Sequence, residues 1–479
     1  MRLPYLLATS AAALAALVAC AAADGDAVAL EPARDGGTVV PEVASPIEAD
    51  AATPTRDASA PVWSACNDHG WCETELPGPD LTLFDVWPFE KRAFAVAQSE
   101  TLGTKLLEWT EATAKWTYVD DNSQNAYGRG HYTGKMFAPS ENEVYFITAP
   151  GLVFHGTRAN PQSAFTWESA RLPYDGPVYP DRDPGIARRS DNALVAPPRF
   201  VYALGVFGTS EGDVYAWFGN RIFRRTRVDG APPTWVSEFV AEDPDVPSDE
   251  SFYIFNAAKG EGDEVWFVGG RGTYVSNSYQ GCPTLYRRTA AGYSAVINAS
   301  MVSFSCSTRP GSIDPTLVID IPGLGPYPLP LSSDGWGTAV LSVGSGQAVL
   351  LLDGNNTFYY IDLAKGIARL NEIRSVVPPV MTGTPLLHSG VRLGDRMWLS
   401  GHGIAFSSEI KKEPWEASIG IGTLEHFQQA GTEVGALLEL SSVEMKGRYL
   451  NEPLYQVRGT SANNLWVVGN RYALHKKTP

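Results

Sequence analysis

An internal repeat sets the strongest limit on how this chain can fold. The stretches "FGTSEGDVYAWFGNRIFRR" from Phe207 and "RGTSANNLWVVGNRYALHKK" from Arg458 share Gly-Thr-Ser and Gly-Asn-Arg, 251 residues apart. Looser copies are "SENEVYFITAPGLVFHG" from Ser140, "GEGDEVWFVGGRGTYVS" from Gly260 and "RLGDRMWLSGHGIAFSS" from Arg392. Two weaker copies are "FEKRAFAVAQ" and "GWGTAVLSVGSGQAVLLL". Self-similarity of this kind is typical of repeat architectures, so the repeat is the first guide to the fold.

Each copy has the pattern of a short antiparallel sheet. A polar turn, an alternating apolar strand, a glycine and a second apolar strand follow one another. One apolar residue marks each copy, and the marks are Phe94, Tyr145, Tyr215, Trp266, Leu341, Trp398 and Trp466. Further strands such as "TLFDVWPF" before the mark and "KWTYV" after it bring the total to four per copy. The pattern predicts an all-β chain with a single β-propeller of about seven four-stranded blades, six or eight being alternatives. A pair of β-sandwiches is the competing interpretation.

The two ends of the repeat region complement each other. The last copy stops at Pro479 after three strands, and "GWCETELPGPD" from Gly70 supplies a strand that follows no earlier copy. We therefore predict that residues 70–77 pair beside residues 472–476 and close the ring. Closure removes the exposed strand edges that favour aggregation.

Residues 464–469 and 263–269 match an Asn-Asp-Val-Trp-Ala-Val-Gly pattern. In this respect the chain resembles the bacterial β-propeller lipoproteins that carry such repeats. The resemblance covers most of residues 63–479 and implies a fold, but it specifies function poorly. The propeller domain is predicted to span residues 61–479. The repeat lengths are irregular and the first and fifth copies are weak, so the resemblance leaves the blade number open by one.

The N-terminus has the layout of an export signal. Residues 1–19 combine Arg2 with an apolar stretch that is short for a membrane span. The sequence Leu-Val-Ala-Cys that ends at Cys20 resembles the lipobox of bacterial lipoproteins, which implies a lipid anchor on Cys20. Ala21 implies sorting to the outer membrane or cell surface of a bacterium. Ordinary secretion after a small-residue cleavage site is the alternative.

Residues 20–60 form an acidic connection to the folded domain. After Cys20 this segment has no aromatic residue and is rich in Ala, Pro and acids, so it is predicted to be a disordered stalk. The whole chain has a formal net charge of -16. Such a charge disfavours binding to nucleic acid.

The four cysteines beyond Cys20 are predicted to pair by sequence proximity. The pairs are Cys66 with Cys72 and Cys282 with Cys306. Neither the cysteine spacing nor the scattered histidines fit a structural zinc site, and we predict no metal and no cofactor.

Loops suggest where a partner binds. The long irregular segments, 171–199, 294–328, 371–385 and 276–283, are predicted to gather on one face of the propeller, where binding usually concentrates. The candidate binding loop, "YPDRDPGIARRSD", offers Tyr179, Asp181, Asp183, Arg188 and Arg189. A solvated, salt-bridged loop is the alternative, and two aspartates are too few ligands for calcium.

Several catalytic motifs are missing from the sequence. Trp336 stands where a sialidase box would have glycine, and there is no His-Glu-x-x-His and no phosphate-binding loop. Residues 208–212 read Gly-Thr-Ser-Glu-Gly, a formal Gly-x-Ser-x-Gly match that falls in the polar turn of the repeat. We predict a noncatalytic, monomeric envelope module that binds or scaffolds a protein or glycan. A hydrolase or lyase that acts on a polysaccharide from the propeller funnel is the alternative.

Overall fold

The computed structural model describes residues 66–125, 133–149, 151–174, 203–227, 230–242, 251–275, 278–302, 305–308, 317–321, 325–329, 336–352, 357–375, 386–402, 417–423, 436–441, 444–445, 448–449 and 453–477. Regular structure in these residues is almost entirely β-strand, and the helical exception is one 3-10 turn, Ser123–Asn125. The predicted all-β class is therefore confirmed. The predicted signal segment, Cys20 and the stalk lie outside the described residues.

Most strands form antiparallel sets of four in chain order. The sets are β2 Leu81–Pro88, β3 Arg92–Ser99, β4 Gly103–Thr110, β5 Lys115–Tyr118; β6 Thr133–Ser140, β7 Glu143–Thr148, β8 Leu152–Thr157, β9 Thr166–Arg171; β10 Leu204–Ser210, β11 Asp213–Phe218, β12 Arg221–Thr226, β13 Thr234–Val240; β14 Ser251–Lys259, β15 Val265–Val275, β16 Ser278–Thr289, β17 Gly292–Val302; β21 Gly337–Gly344, β22 Gln347–Leu352, β23 Thr357–Asp362, β24 Ile367–Ser375; and β25 Leu386–Leu393, β26 Arg396–His402, β27 Ala417–Thr423, β28 Ala436–Ser441. The last set is β31 Leu454–Ser461, β32 Asn464–Gly469, β33 Ala473–Lys476 and the N-terminal β1 Trp71–Glu73. The remaining strands are β18 Ser305–Thr308, β19 Leu317–Ile321, β20 Gly325–Leu329, β29 Glu444–Met445 and β30 Arg448–Tyr449.

The sets have a propeller-like arrangement. Within a set, each strand pairs with the next, as β2 does with β3, β3 with β4 and β4 with β5. The first strands contact one another in the order β2, β6, β10, β14, β21, β25 and β31, and β31 also contacts β2. The fourth strand β9 is largely exposed, and the residues of the fourth strand β13 are exposed or half-buried. Two packed sandwiches would not bring the first strands together in this order.

The marks of the repeat are buried, but one of them was assigned to the wrong strand. Six marks lie in the second strands of their sets and are at most 1 % exposed: Phe94, Tyr145, Tyr215, Trp266, Trp398 and Trp466. Leu341 is also buried, yet it lies on β21, a first strand. The equivalent residue is Val349 on β22, the third residue of its strand as Trp466 is of β32. The fifth copy has no aromatic residue at this position, and the apolar residues of the first strand β21 resemble those expected of a second strand.

A polar cluster surrounds the mark in several sets. In the last set, the Asn464 side-chain oxygen accepts from Trp466 Nε1 at 3.1 Å and lies 3.0 Å from His475 Nε2, while Thr460 Oγ1 lies 2.8 Å from Asn464 Nδ2. The His475 ring stacks on Trp466 with centroids 4.0 Å apart. Burial, aided by the charge of Lys477, lowers the pKa of His475 to about 3, so the ring is neutral. The equivalent third-strand residues are His155, Arg224 and Arg287 in the second, third and fourth sets.

The N-terminal strand pairs with the C-terminal strand. β1 runs antiparallel to β33, with Trp71 opposite Lys476, within the two ranges that the sequence predicted. Beyond β1, Thr74 Oγ1 donates to the Ala473 carbonyl at 2.7 Å and accepts from Trp116 Nε1 at 2.8 Å. One threonine thus bonds to both the last set and the first.

Both predicted disulfides are present, Cys66–Cys72 and Cys282–Cys306. Two predicted loops, however, are largely strands. Most of 276–283 belongs to β16, which pairs with β15 as far as Val275 opposite Ser278, and 294–328 contains much of β17 and all of β18 and β19. The Gly, Ser and Pro residues of these stretches are typical of turns. Those within 278–283 nevertheless lie in the long hairpin of β15 and β16.

Candidate functional site

The predicted binding loop with Tyr179, Asp181, Asp183, Arg188 and Arg189 lies outside the described residues and stays a prediction. Among the described residues, no group of three or more His, Cys, Asp or Glu side chains is placed to hold a metal ion. No helix in this part of the chain is long and apolar enough to cross a membrane.

A cavity of about 700 Å³ lies among the first strands. Residues of β2, β6, β10, β14, β21, β25 and β31 all line it, mostly near the ends that lead into the second strands. In a propeller, these turns lie on the face opposite the connections between blades. The cavity is therefore at the short-turn end and not at the end where the sequence predicted binding. Strands rather than long loops form its wall.

One side of the cavity is aromatic. We call Trp87, Phe89, Phe137 and Phe207 the aromatic arc, and they come from the adjacent first strands β2, β6 and β10 and the turn after β2. The Phe137 ring lies edge-on to Trp87 at 5.0 Å and 6.3 Å from Phe207. A Cβ atom at Gly208 would lie 2.2 Å from the Phe137 ring. The glycine of the Gly-Thr-Ser motif thus makes room for the arc.

The remaining wall is cationic. We call Lys259, Arg392 and Arg458 the cationic arc, on β14, β25 and β31. Lys259 and Arg392 are exposed, and uncharged residues of β21 and β25 line the cavity between them. Glu211 is the one carboxylate among the described residues that line the cavity. The described lining therefore has positive charge in excess, in a chain whose net charge is -16.

An ion pair fixes Arg458. Its Nε and Nη2 atoms donate to the two oxygens of Asp85, at 2.9 Å and 3.1 Å, and Asp85 is fully buried. The guanidinium also lies 4.4 Å from the centre of the Trp87 ring. This geometry combines a bidentate pair with a cation–π contact. It holds β31 against β2 and orients Arg458 at the cavity wall.

A second cation lies beside this pair. Lys135 Nζ donates to the Gln456 side-chain oxygen at 2.6 Å and to the Phe84 carbonyl at 3.1 Å. Burial lowers the pKa of Lys135 to about 8; the charge of Asp85 opposes this shift and that of Arg458 adds to it. This part of the inner wall therefore has two cations for one carboxylate.

Polar side chains also join neighbouring first strands. Bulges in β2, β21, β25 and β31 interrupt regular pairing near these links. Asp85 accepts from the Met136 amide at 3.0 Å, and Ser389 Oγ accepts from the Val457 amide at 3.3 Å. Thr338 donates to a carbonyl of the next first strand at 2.9 Å. These bonds satisfy buried backbone groups and hold the wall in place.

No protein-family model matches the sequence, and no curated protein matches it. Among solved structures, the chain is similar to a catalytically inactive virginiamycin B lyase from Staphylococcus aureus with quinupristin, at 13% identity and a TM-score of 0.48 over 84% of this chain and 97% of that one. It is also similar to YCF48 from Cyanidioschyzon merolae, at 12% identity and a TM-score of 0.43, covering 86% and 99% of the two chains. A third similar structure is the WD40 β-propeller domain of Doa1, at 10% identity and a TM-score of 0.40, with coverages of 85% and 96%. At these identities the likeness concerns the fold alone.

None of the residues in the two arcs was a predicted site residue. A usable signal was present in the first strands. Relative to the bulges, "LFDVW" and "LYQVR" place Asp85 level with Gln456, and Trp87 level with Arg458. Alignment of the first strands, rather than of the marks, would have brought these side chains together.

Proposed function

We propose that the chain is a lipid-anchored, closed propeller of seven blades that binds or scaffolds a protein or glycan at the bacterial cell envelope, without catalysing a reaction. The anchor is Cys20. The pairing of β1 with β33 and the contact of β31 with β2 support closure. The seven first strands that line one cavity support the blade number.

The binding role rests on one observation, the cavity with its aromatic and cationic arcs. A glycosidase needs two carboxylates at a set separation, roughly 5 to 10 Å. The described lining provides one carboxylate, Glu211, while Asp85, which does not line the cavity, accepts hydrogen bonds from Arg458. Apolar surface with a few convergent charges is the usual composition of a ligand site.

The test is a capture experiment with a blocked cavity. Ser342 lines the cavity and is half-buried, so Ser342→Trp should place a ring in the cavity and obstruct it, whereas Ser169→Trp adds the same ring on the exposed strand β9. We expect the wild type and Ser169→Trp to capture the same component from envelope extracts and Ser342→Trp to lose it. Undiminished capture by Ser342→Trp would exclude the cavity as the site. Turnover of a captured polysaccharide would favour the hydrolase or lyase.

Fractionation of cells that produce the protein tests the anchor. Wild-type protein should fractionate with membranes, and Cys20→Ser should move it to the soluble fraction. A Cys20→Ser protein that stays with the membranes would remove the lipid from the proposal.

A further inference from the structure

We infer that the ligand of the cavity is a peptide segment that presents one carboxylate beside an apolar side chain. The carboxylate contacts the cationic arc, and the apolar side chain packs against the aromatic arc. This inference rests on the proposed function and specifies the ligand of the same site.

Arg458 is oriented to receive the carboxylate. Its Nε and Nη2 atoms are bonded to Asp85, and no described contact uses Nη1. The guanidinium is held flat by Trp87 and remains partly exposed at the cavity wall, with 18% of its side-chain surface accessible. A fixed donor of this kind loses little conformational entropy when it binds an anion.

The charges around the cavity favour one carboxylate over a run of acids. Lys259 and Arg392 are exposed at the lining, and Lys135 adds positive charge behind Gln456. The turns at the rim carry more exposed acids than exposed cations: the acids are Glu90, Glu211, Glu261, Asp263 and Asp395, and the cations are Lys91 and Arg396. This excess of negative charge at the rim would repel an acid-rich segment more strongly than a single carboxylate. A single carboxylate that enters the cavity would neutralise the surplus positive charge inside.

The aromatic arc favours a peptide over a glycan. Sugars pack on open ring faces, but Phe137 and Phe207 are only 3% and 6% exposed, and Arg458 covers Trp87. The amides that could bond to hydroxyl groups are already engaged. Asn256 Nδ2 donates to the Thr338 carbonyl, and the Gln456 oxygen accepts from Lys135. The apolar surface that remains accessible next to the cations is that of the half-buried Phe89, Ala258 and Val391.

The carboxylate could be a free chain terminus or an Asp or Glu side chain, and one array distinguishes them. Immobilised hexapeptides are prepared with a free C-terminal carboxylate, with a C-terminal amide, and as the amide with one internal Asp. The probe is the full-length protein in detergent micelles. We expect binding to peptides that place an apolar residue beside a carboxylate. Amide peptides without Asp should bind at least about tenfold more weakly.

Variants test whether the cationic arc is responsible. Arg392→Gln combined with Lys259→Gln should weaken binding about tenfold. Arg392 also donates to the Gly394 and Val343 carbonyls, at 2.9 Å and 2.7 Å. The urea midpoint of the double variant is therefore compared with that of the wild type, to separate a loss of stability from a loss of binding. Arg396→Gln is the matched control, because Arg396 is an exposed neighbour of Arg392 on the same hairpin and does not line the cavity. Its affinity should equal that of the wild type.

Three results would overturn the inference. The first is equal affinity for acid and amide peptides, and the second is an arc variant that binds as well as the control. The third is binding to an acidic glycan array with no peptide binding, which would assign a glycan. In each case the capture experiment with envelope extracts decides what remains. If Ser342→Trp abolishes capture, the proposed function stands without this ligand. If Ser342→Trp captures as well as the wild type, both the proposed binding site and the inferred ligand are wrong.

Discussion

Deletion of residues 61–78 is expected to lower the free energy of unfolding of the whole domain by at least about 3 to 5 kcal/mol, the usual cost of truncating one buried tryptophan. The deletion removes Trp71, which is fully buried and lies edge-on to Trp398 at 6.2 Å. It also removes Thr74, which bonds to Ala473 and Trp116. Urea unfolding followed by tryptophan fluorescence measures the change.

The deletion should also promote association. Without β1, the edge of β33 has unpaired backbone groups that can pair with another chain. Size-exclusion chromatography would detect concentration-dependent oligomers. Deletion of residues 61–65 alone is the control, because it ends before Cys66 and leaves β1 intact. A 61–78 deletion that unfolds with the parent's midpoint and stays monomeric would contradict the structural role of this strand.

Truncation of Trp466 to alanine is expected to cost about 3 to 5 kcal/mol. Its ring is fully buried and packs against Trp109 at 4.8 Å and Trp116 at 5.3 Å, both in the first set, while His475 stacks on it. The substitution thus leaves a cavity between the last set and the first, and it removes a hydrogen bond to Asn464.

The matched control is Trp235→Ala on the outer strand β13, where the ring is only half-buried. Its cost should be clearly smaller, because the site already faces solvent and can relax. If denaturant unfolding gave the same loss of unfolding free energy for Trp466→Ala and Trp235→Ala, burial of Trp466 would not explain its contribution to stability.

The repeat predicted the strands well because burial forces a regular pattern on them. Second strands need apolar residues on both faces between packed sets, and six marks follow this rule. The fifth mark failed because Val349 fills the same position without an aromatic ring. The prediction of a loop at 276–283 was wrong for a different reason. Gly and Pro usually end a strand, but the long hairpin of β15 and β16 contains them.

The candidate site was beyond reach of a residue-by-residue analysis. Its cavity draws on strands from β2 to β31, and the pair that orients Arg458 joins residues 373 positions apart. Alignment of the first strands shows which positions share a level, as in "LFDVW" and "LYQVR", but only the assembled sheets show that these positions line one cavity. The sequence directed attention to long loops, whereas the described cavity is built from strand ends beside short turns.

A zero-length cross-link tests most directly whether the first and last sets meet and close the ring. Lys477 Nζ lies 3.2 Å from Glu111 Oε1, although the two residues are 366 positions apart. Carbodiimide treatment of the folded protein, followed by digestion and mass spectrometry, should yield a Glu111–Lys477 amide that is absent from Lys477→Arg. The pair Glu75 and Lys115, also 3.2 Å apart, reports that the reagent has worked. A Glu75–Lys115 product without any Glu111–Lys477 product would contradict the closed ring.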